Sequence, residues 1–205
     1  MEAFSGYNSI LERKKDIDDD SAVLSHELEM KCGLDFLGTL APSFGKEAGM
    51  ADLARVTDYL YVSGYNSIQA DVLKEYNITC VINTAEELPS MKTDSLDFPL
   101  DYMHVYMFDD ENADLLTYLD SCVDKIHHVQ QNGGRTLVHC LGGVSRSVSV
   151  CAGYLIKYCS MSLKDSMRRI RTVRPQANPN PGFWHQLSEY ERFFVQYNEE
   201  HGTGN

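Results

Sequence analysis

From Leu53 onward the apolar positions alternate between strand and helix spacing. Val56–Ser63 predicts a strand, with Thr57-Asp58 offering a tight turn, and Ile68–Tyr76 a short helix. Ile78–Asn83 is a continuous apolar run, the pattern of a strand buried on both faces, and Tyr102–Met107 predicts a further strand. Leu115, Leu119, Cys122, Ile126 and Val129 recur at helical spacing and the stripe stops at Asn132-Gly133-Gly134, a helix-ending signal. Thr136–His139 predicts a strand, followed by helices over about 145–158 and from Ser162, the latter opened by the capping pair Ser162/Asp165. Pro181 suits a first helical position, and Phe183, Leu187, Tyr190 and Phe194 line the inner face of that last helix. Alternating strands and helices imply an α/β layered fold, and the apolar stripes are its core.

Residues 1–50 break this pattern and are expected to form an N-terminal extension, partly disordered, ahead of a domain over 51–197 and a flexible tail over 198–205. The extension holds an acid run, Asp16 to Asp20 interrupted only by Ile17, and a weak amphipathic pattern at Leu24, Leu28 and Leu34. The triplet Arg13-Lys14-Lys15 reads as a solvated patch or a partner-docking signal. The hexapeptide Ser5–Ile10 recurs as Ser63–Ile68, too short for a structural repeat. Met1–Ile10 lacks the basic start and apolar run of a secretory signal, and no apolar stretch reaches membrane-span length, so a place in the cytosol or nucleus is expected.

Composition narrows the chemistry. The net charge of −12 argues against general nucleic-acid binding. The charge is uneven: Asn132–Asn180 holds eight basic residues against one acid, leaving the rest of the chain at −19. A basic island in an acidic chain marks an anion site or a solvated helix face. The six cysteines form no CxxC pair, so zinc and thioredoxin-like sites are not expected, and most read as small buried apolar residues. His127-His128 do not share a helix face, and no spacing suits a metal.

The informative segment is His139-Cys140-Leu141-Gly142-Gly143-Val144-Ser145-Arg146-Ser147, between a strand and a helix. A loop feeding a helix N-terminus turns several N–H groups toward one point and binds anions. Gly142 and Gly143 free the backbone to take positive φ and approach an oxyanion closely. Cys140 sits at the base of this cradle, where the helix dipole, the amides and Arg146 favour a nucleophilic thiolate. Arg146 presents a planar fork that grips two phosphate oxygens, which lysine cannot copy. Leu141, Gly142, Gly143, Val144, Ser145 and Arg146 are the phosphate-binding residues, and Ser147 can donate its hydroxyl to the sulfur as a leaving group. His139 is either a supporting residue that hydrogen-bonds the loop or a structural one. Asn180 is expected to cap the last helix.

This segment resembles the HCx5R signature of cysteine-based protein tyrosine phosphatases, and HCLGGVSRS is similar to their dual-specificity branch, in which serine precedes the arginine. Lipid phosphatases of the superfamily tend to carry lysines in this loop, and none is present. The resemblance runs from about Leu53 to Phe194. It includes Arg55-Val56-Thr57 through Leu60, Arg174-Pro175, Pro179-Asn180 and Gly182-Phe183, and is nearest to the small atypical enzymes without a kinase-docking domain. It implies a central mixed, mostly parallel sheet flanked by helices, no cofactor or metal, and phosphorylated proteins as partners. A shallow pocket would admit phosphotyrosine, phosphoserine and phosphothreonine. The general acid is expected in Phe108–Leu115. Counting back from the helix start picks Asp109 over Asp110, with Asp110 and Glu111 favouring its protonated form by like-charge repulsion. An inactive phosphopeptide-binding module would keep the loop and lose Cys140 or the acid, whereas a sulfur-handling or arsenate-reducing enzyme would need a partner thiol or an earlier loop. Oligomeric state is not encoded in any pattern here.

Overall fold

The computed structural model describes residues 52–201. The expectations for 1–50, including both docking triplet and acid run, lie outside these residues. Five strands, β1 (Leu53–Arg55), β2 (Leu60–Gly64), β3 (Cys80–Asn83), β4 (Asp101–His104) and β5 (Thr136–Cys140), form one sheet in the order β1-β2-β5-β3-β4. Only the β1–β2 pair is antiparallel. This is the mixed, mostly parallel sheet that the resemblance implied.

Of the expected first strand, Val56–Ser63, only Leu60–Ser63 is strand; Val56–Tyr59 is the turn that joins β1 to β2. Thr57 causes the break: its Oγ1 accepts from Leu60 N at 3.0 Å while its N–H donates to Leu60 O at 3.1 Å. A hydroxyl that bonds the backbone locally favours a turn over a continued ladder. The predicted strand Tyr102–Met107 stops at His104, because Met107 N turns back to Val105 O.

Five helices complete the domain: α1 (Ala70–Glu75), α2 (Leu116–Gln131), α3 (Arg146–Cys159), α4 (Leu163–Val173) and α5 (Pro181–His201). The period-2 alternation of the strands sorts them into layers. Leu60, Val62, Cys80, Ile82 and Val138 face the main core with α2–α5, while Tyr61, Val81 and Leu137 face a smaller cluster under α1 with Leu73 and Ile78. All of α3 except Tyr158 is buried, as expected of a helix apolar on nearly every side. Gly153 lets α2 approach, since a Cβ there would lie 2.6 Å from Leu119 Cδ1. Ser162 accepts from Asp165 N at 3.0 Å, so the predicted cap opens α4. Helix α5 runs to His201, so the tail expected from 198 begins inside a helix. Among the described residues no helix is long and apolar enough to cross a membrane.

Strand β5 lies between β2 and β3 and feeds directly into α3. The C-terminal end of a central parallel strand, followed by a helix N-terminus, is where an α/β sheet presents a ligand site. Cys140 is the last residue of β5 and Arg146 the first of α3.

Candidate active site

The loop between Cys140 and Arg146 wraps the sulfur. Gly143 N–H donates to Cys140 Sγ at 3.2 Å and Ser147 Oγ lies 3.3 Å from it. The amides of Gly142, Val144 and Ser145 donate to no described residue, which leaves them for an anion. Of the two glycines only Gly143 takes positive φ, +63°. A Cβ there would also lie 2.5 Å from Ser63 backbone atoms and from Arg174 Nη2. Gly142 carries neither constraint.

The loop is braced from outside by residues that pattern reading did not single out. Arg174, one of the basic island and part of the resemblance at Arg174-Pro175 but given no role there, is 2% exposed. Its Nε donates to Gly143 O and its Nη2 to Gly142 O at 3.0 Å. These bonds occupy loop carbonyls that would otherwise repel an anion. Asn178 N donates to Val144 O at 2.8 Å, and Tyr65 N to Leu141 O at 3.0 Å. Tyr65 belongs to the second hexapeptide copy, so that copy is a wall of the loop.

Arg146 is 4% exposed. Its Nη1 and Nη2 donate to the two carboxylate oxygens of Glu87 at 2.6 and 2.7 Å, and Nη1 also to Met107 O at 3.1 Å. Its Nε has no hydrogen-bond partner and lies 3.6 Å from Asp109 Oδ2. Burial works against the cation, but Glu87, with Cys140 and Asp109, more than offsets it and raises the guanidinium pKa. The same pair holds the Glu87 carboxyl below the usual range. No pattern around Glu86-Glu87 distinguishes the second acid from a solvated one.

The acidic loop resolves into separate tasks. Asp110 turns inward on its own segment, accepting from Asn112 N at 2.8 Å and Asn112 Nδ2 at 3.1 Å. Asp114 opens α2, accepting from Thr117 N at 3.0 Å. Asp109 alone reaches Arg146, and its Oδ1 accepts from Asn180 Nδ2 at 3.0 Å. The neighbours that contact Asp109 are therefore a guanidinium and an amide, not the adjacent acids. Asn180 caps α5 as expected, its Oδ1 accepting from Phe183 N at 2.9 Å, and its own N–H donates to Ser145 Oγ at 3.1 Å. One residue thus ties the acidic loop and α5 through its side chain and the sulfur loop through its main-chain N–H. Gly182 lets that loop seat, since a Cβ would lie 1.8 Å from Glu111 O.

His139 is 1% exposed and its Nδ1 has no hydrogen-bond partner. Burial pushes its pKa down to about 4. Its main-chain carbonyl, rather than that ring nitrogen, is what the surroundings hold: Thr84 donates to it from N at 2.9 Å and from Oγ1 at 3.0 Å. The structure thus brings together Cys140, Arg146, Ser147, Asp109 and the loop 141–145. Phe108 and Leu141 stand 60% and 55% exposed beside them. Among the described residues no three His, Cys, Asp or Glu side chains form a group that could hold a metal ion.

A β5–loop–α3 unit of this geometry defines the cysteine-based phosphatases, and comparison with known proteins agrees. Residues 60–193 match the family model for the dual specificity phosphatase catalytic domain. Bovine dual specificity protein phosphatase 14 is 35% identical over 75% of this chain and 76% of its own length. Human dual specificity protein phosphatase 18 is 38% identical over 71% and 76%. The crystal structure of a mouse putative dual specificity phosphatase complexed with zinc tungstate superposes with a TM-score of 0.68 at 32% identity, covering 78% of this chain and 96% of that one. The chain belongs to the dual specificity phosphatase family, among its atypical members in the cysteine-based superfamily, and is a protein phosphatase.

Proposed function

We propose that the chain hydrolyses phosphotyrosine and phosphoserine or phosphothreonine in proteins through a phosphocysteine on Cys140. The observation that carries this reading is the sulfur itself: the Gly143 N–H donates to it at 3.2 Å, Ser147 Oγ lies 3.3 Å from it, and the neighbouring loop amides of Gly142, Val144 and Ser145 donate to no described residue. That a relative was crystallised with tungstate, a tetrahedral oxyanion, is in keeping with an oxyanion seat at this loop.

In the first step the Cys140 sulfur attacks phosphorus, an S–P bond forms and the P–O ester bond breaks. The loop amides and Arg146, through its uncommitted Nε, stabilise charge on the equatorial oxygens. Asp109 gives its proton to the departing oxygen. In the second step water attacks phosphorus, Asp109 takes its proton, and the S–P bond breaks. The sulfur leaves with its electron pair, stabilised by the Gly143 N–H and the Ser147 hydroxyl. Asn180 aims the acid by holding its other carboxylate oxygen. Exposed Phe108 and Leu141 form an apolar rim, suited to phosphorylated side chains of differing length.

Assay of an aryl phosphate and of phosphopeptides of all three kinds tests this. Cys140→Ser is expected to abolish turnover. Asp109→Ala is expected to slow phosphopeptide hydrolysis by about 10²-fold or more, and to slow a substrate with a good leaving group less. Equal rates for the three proteins would overturn the assignment.

A further inference from the structure

Six large apolar side chains stand exposed among the described residues, and four of them follow strand ends on one side of the sheet: Tyr65, Tyr106, Phe108 and Leu141. Tyr65 directly follows β2, Leu141 directly follows β5, and Tyr106 and Phe108 lie just past the end of β4. This is the end at which the sheet presents Cys140. Exposed apolar residues scattered singly need no explanation, but a group of them around the mouth of a site does.

Beyond β4 the chain keeps the alternation of a strand. Val105 and Met107 are buried in the main core, whereas Tyr106 and Phe108 are exposed. The Tyr106 residue is 60% exposed, yet its ring is fixed: it stacks on His104, with centroids 4.2 Å apart and planes 27° from parallel. His104 is itself held, its Nδ1 2.9 Å from Ser90 Oγ and its Nε2 2.9 Å from Ala85 O. An exposed ring already set in place loses little freedom when a second apolar group covers it. The same segment leads into the site. Met107 O accepts from Arg146 Nη1 at 3.1 Å, and Asp109 Oδ2 lies 3.6 Å from Arg146 Nε. Strand register sets the spacing, since Asn83 pairs with His139 on one side and with His104 on the other. Strand β4 is therefore two strand spacings, about 10 Å, from the strand that ends in Cys140. An extended peptide rises about 3.3 Å per residue, so that distance is about three residues.

We propose that the Tyr106–His104 stack is a substrate-docking site for a large apolar or aromatic side chain about three residues from the phosphorylated one. This rests on the protein phosphatase reading above and narrows its substrate class. The docked side chain buries apolar area against the Tyr106 ring, and Phe108 lies along the segment between that ring and Asp109. Phosphoproteins with such a residue bind more tightly. Small phosphate esters, which do not reach Tyr106, gain nothing from it.

The test uses the full chain and serine-rich phosphotyrosine peptides that carry a single phenylalanine at each flanking position in turn. In the wild type, kcat/KM should rise about tenfold, through KM, when the phenylalanine stands about three residues from the phosphotyrosine on one side. Tyr106→Ser should lose that rise and Tyr106→Phe should keep it. All three proteins should hydrolyse a small aryl phosphate within about twofold of one another. Binding of the same peptides to Cys140→Ser, which needs no turnover, should rank them in the same order, so that a failure of the docking site is distinguishable from a failure of the catalytic reading. The proposal is overturned if no position responds, if the preference survives in Tyr106→Ser, or if Tyr106→Ser slows the aryl phosphate as much as the peptides.

Discussion

Helix α3 carries a buried cation at each end, and the two are answered differently. At its N-terminus Arg146, 4% exposed, meets Glu87 and one carbonyl, and its Nε is left without a hydrogen bond. Near its C-terminus Lys157, 7% exposed, pairs with Asp120 at 2.7 Å and Asp124 at 2.6 Å. Tyr190 and Tyr158 donate their hydroxyls to the same two carboxylates. The helix dipole favours a cation at the C-terminus and opposes one at the N-terminus. Lys157 is therefore answered by two carboxylates, a structural cation. Arg146 is held where its charge adds to the dipole's and to the loop amides, with a donor to spare. An unsatisfied buried donor beside a nucleophile is thus a better mark of a working site than burial or charge alone.

Replacing the two cations should therefore damage different properties. Arg146→Lys keeps the charge and loses the fork, so kcat/KM for a phosphopeptide should fall by about 10³-fold with the fold intact. A loss under tenfold would remove the distinction. A third buried base, His139, shows what happens with no answering acid: it stays neutral. The unfolded chain binds that proton near 6.5 and the folded chain only near 4. Between these values the unfolded state holds more protons, so stability is unaffected above pH 6.5 and declines as pH falls toward 4. Urea midpoints should show a loss of roughly 2 kcal/mol from pH 7 to pH 5, largely absent in His139→Asn. An equal loss in both proteins would assign it elsewhere. Lys157→Met should cost about 1–2 kcal/mol of stability, less than a fully buried pair because Asp120 and Asp124 are partly exposed. Its kcat/KM should stay within roughly twofold of wild type, and a large activity loss would merge the two ends of the helix into one site. Glu87→Gln, which loosens the grip on Arg146 without removing it, should reduce kcat/KM by about tenfold. No change would make Glu87 a bystander.

Much of this was legible before any coordinates. The strand–loop–helix boundary at 140–146 is local, written in consecutive residues, and the apolar run of β5 and the stripe of α3 frame it. The resemblance supplied the sheet's mixed character. What escaped was long-range. Glu87 is 59 residues from Arg146 and Arg174 is 31 from Gly143, and neither spacing has a period that a single sequence displays. Arg174 looked like one of several helix-face cations until burial separated it. Thr57 was named as a turn residue, yet its power to end β1 depended on a bond to Leu60. The choice of Asp109 over Asp110 came from counting to a helix start, whereas the geometry separates them by partners: Asn112 holds one, Arg146 and Asn180 meet the other.

The claim on which the account rests is that the sulfur of Cys140 carries the phosphoryl group. Asp109→Asn, given an aryl phosphate whose leaving group needs no acid, should pass the first step and stall at the second. Acid quenching within the first turnover, followed by mass spectrometry, should then find one phosphoryl group per chain, on Cys140 and lost on longer incubation. A quenched enzyme that turns over substrate yet never bears phosphate on that residue would contradict the account.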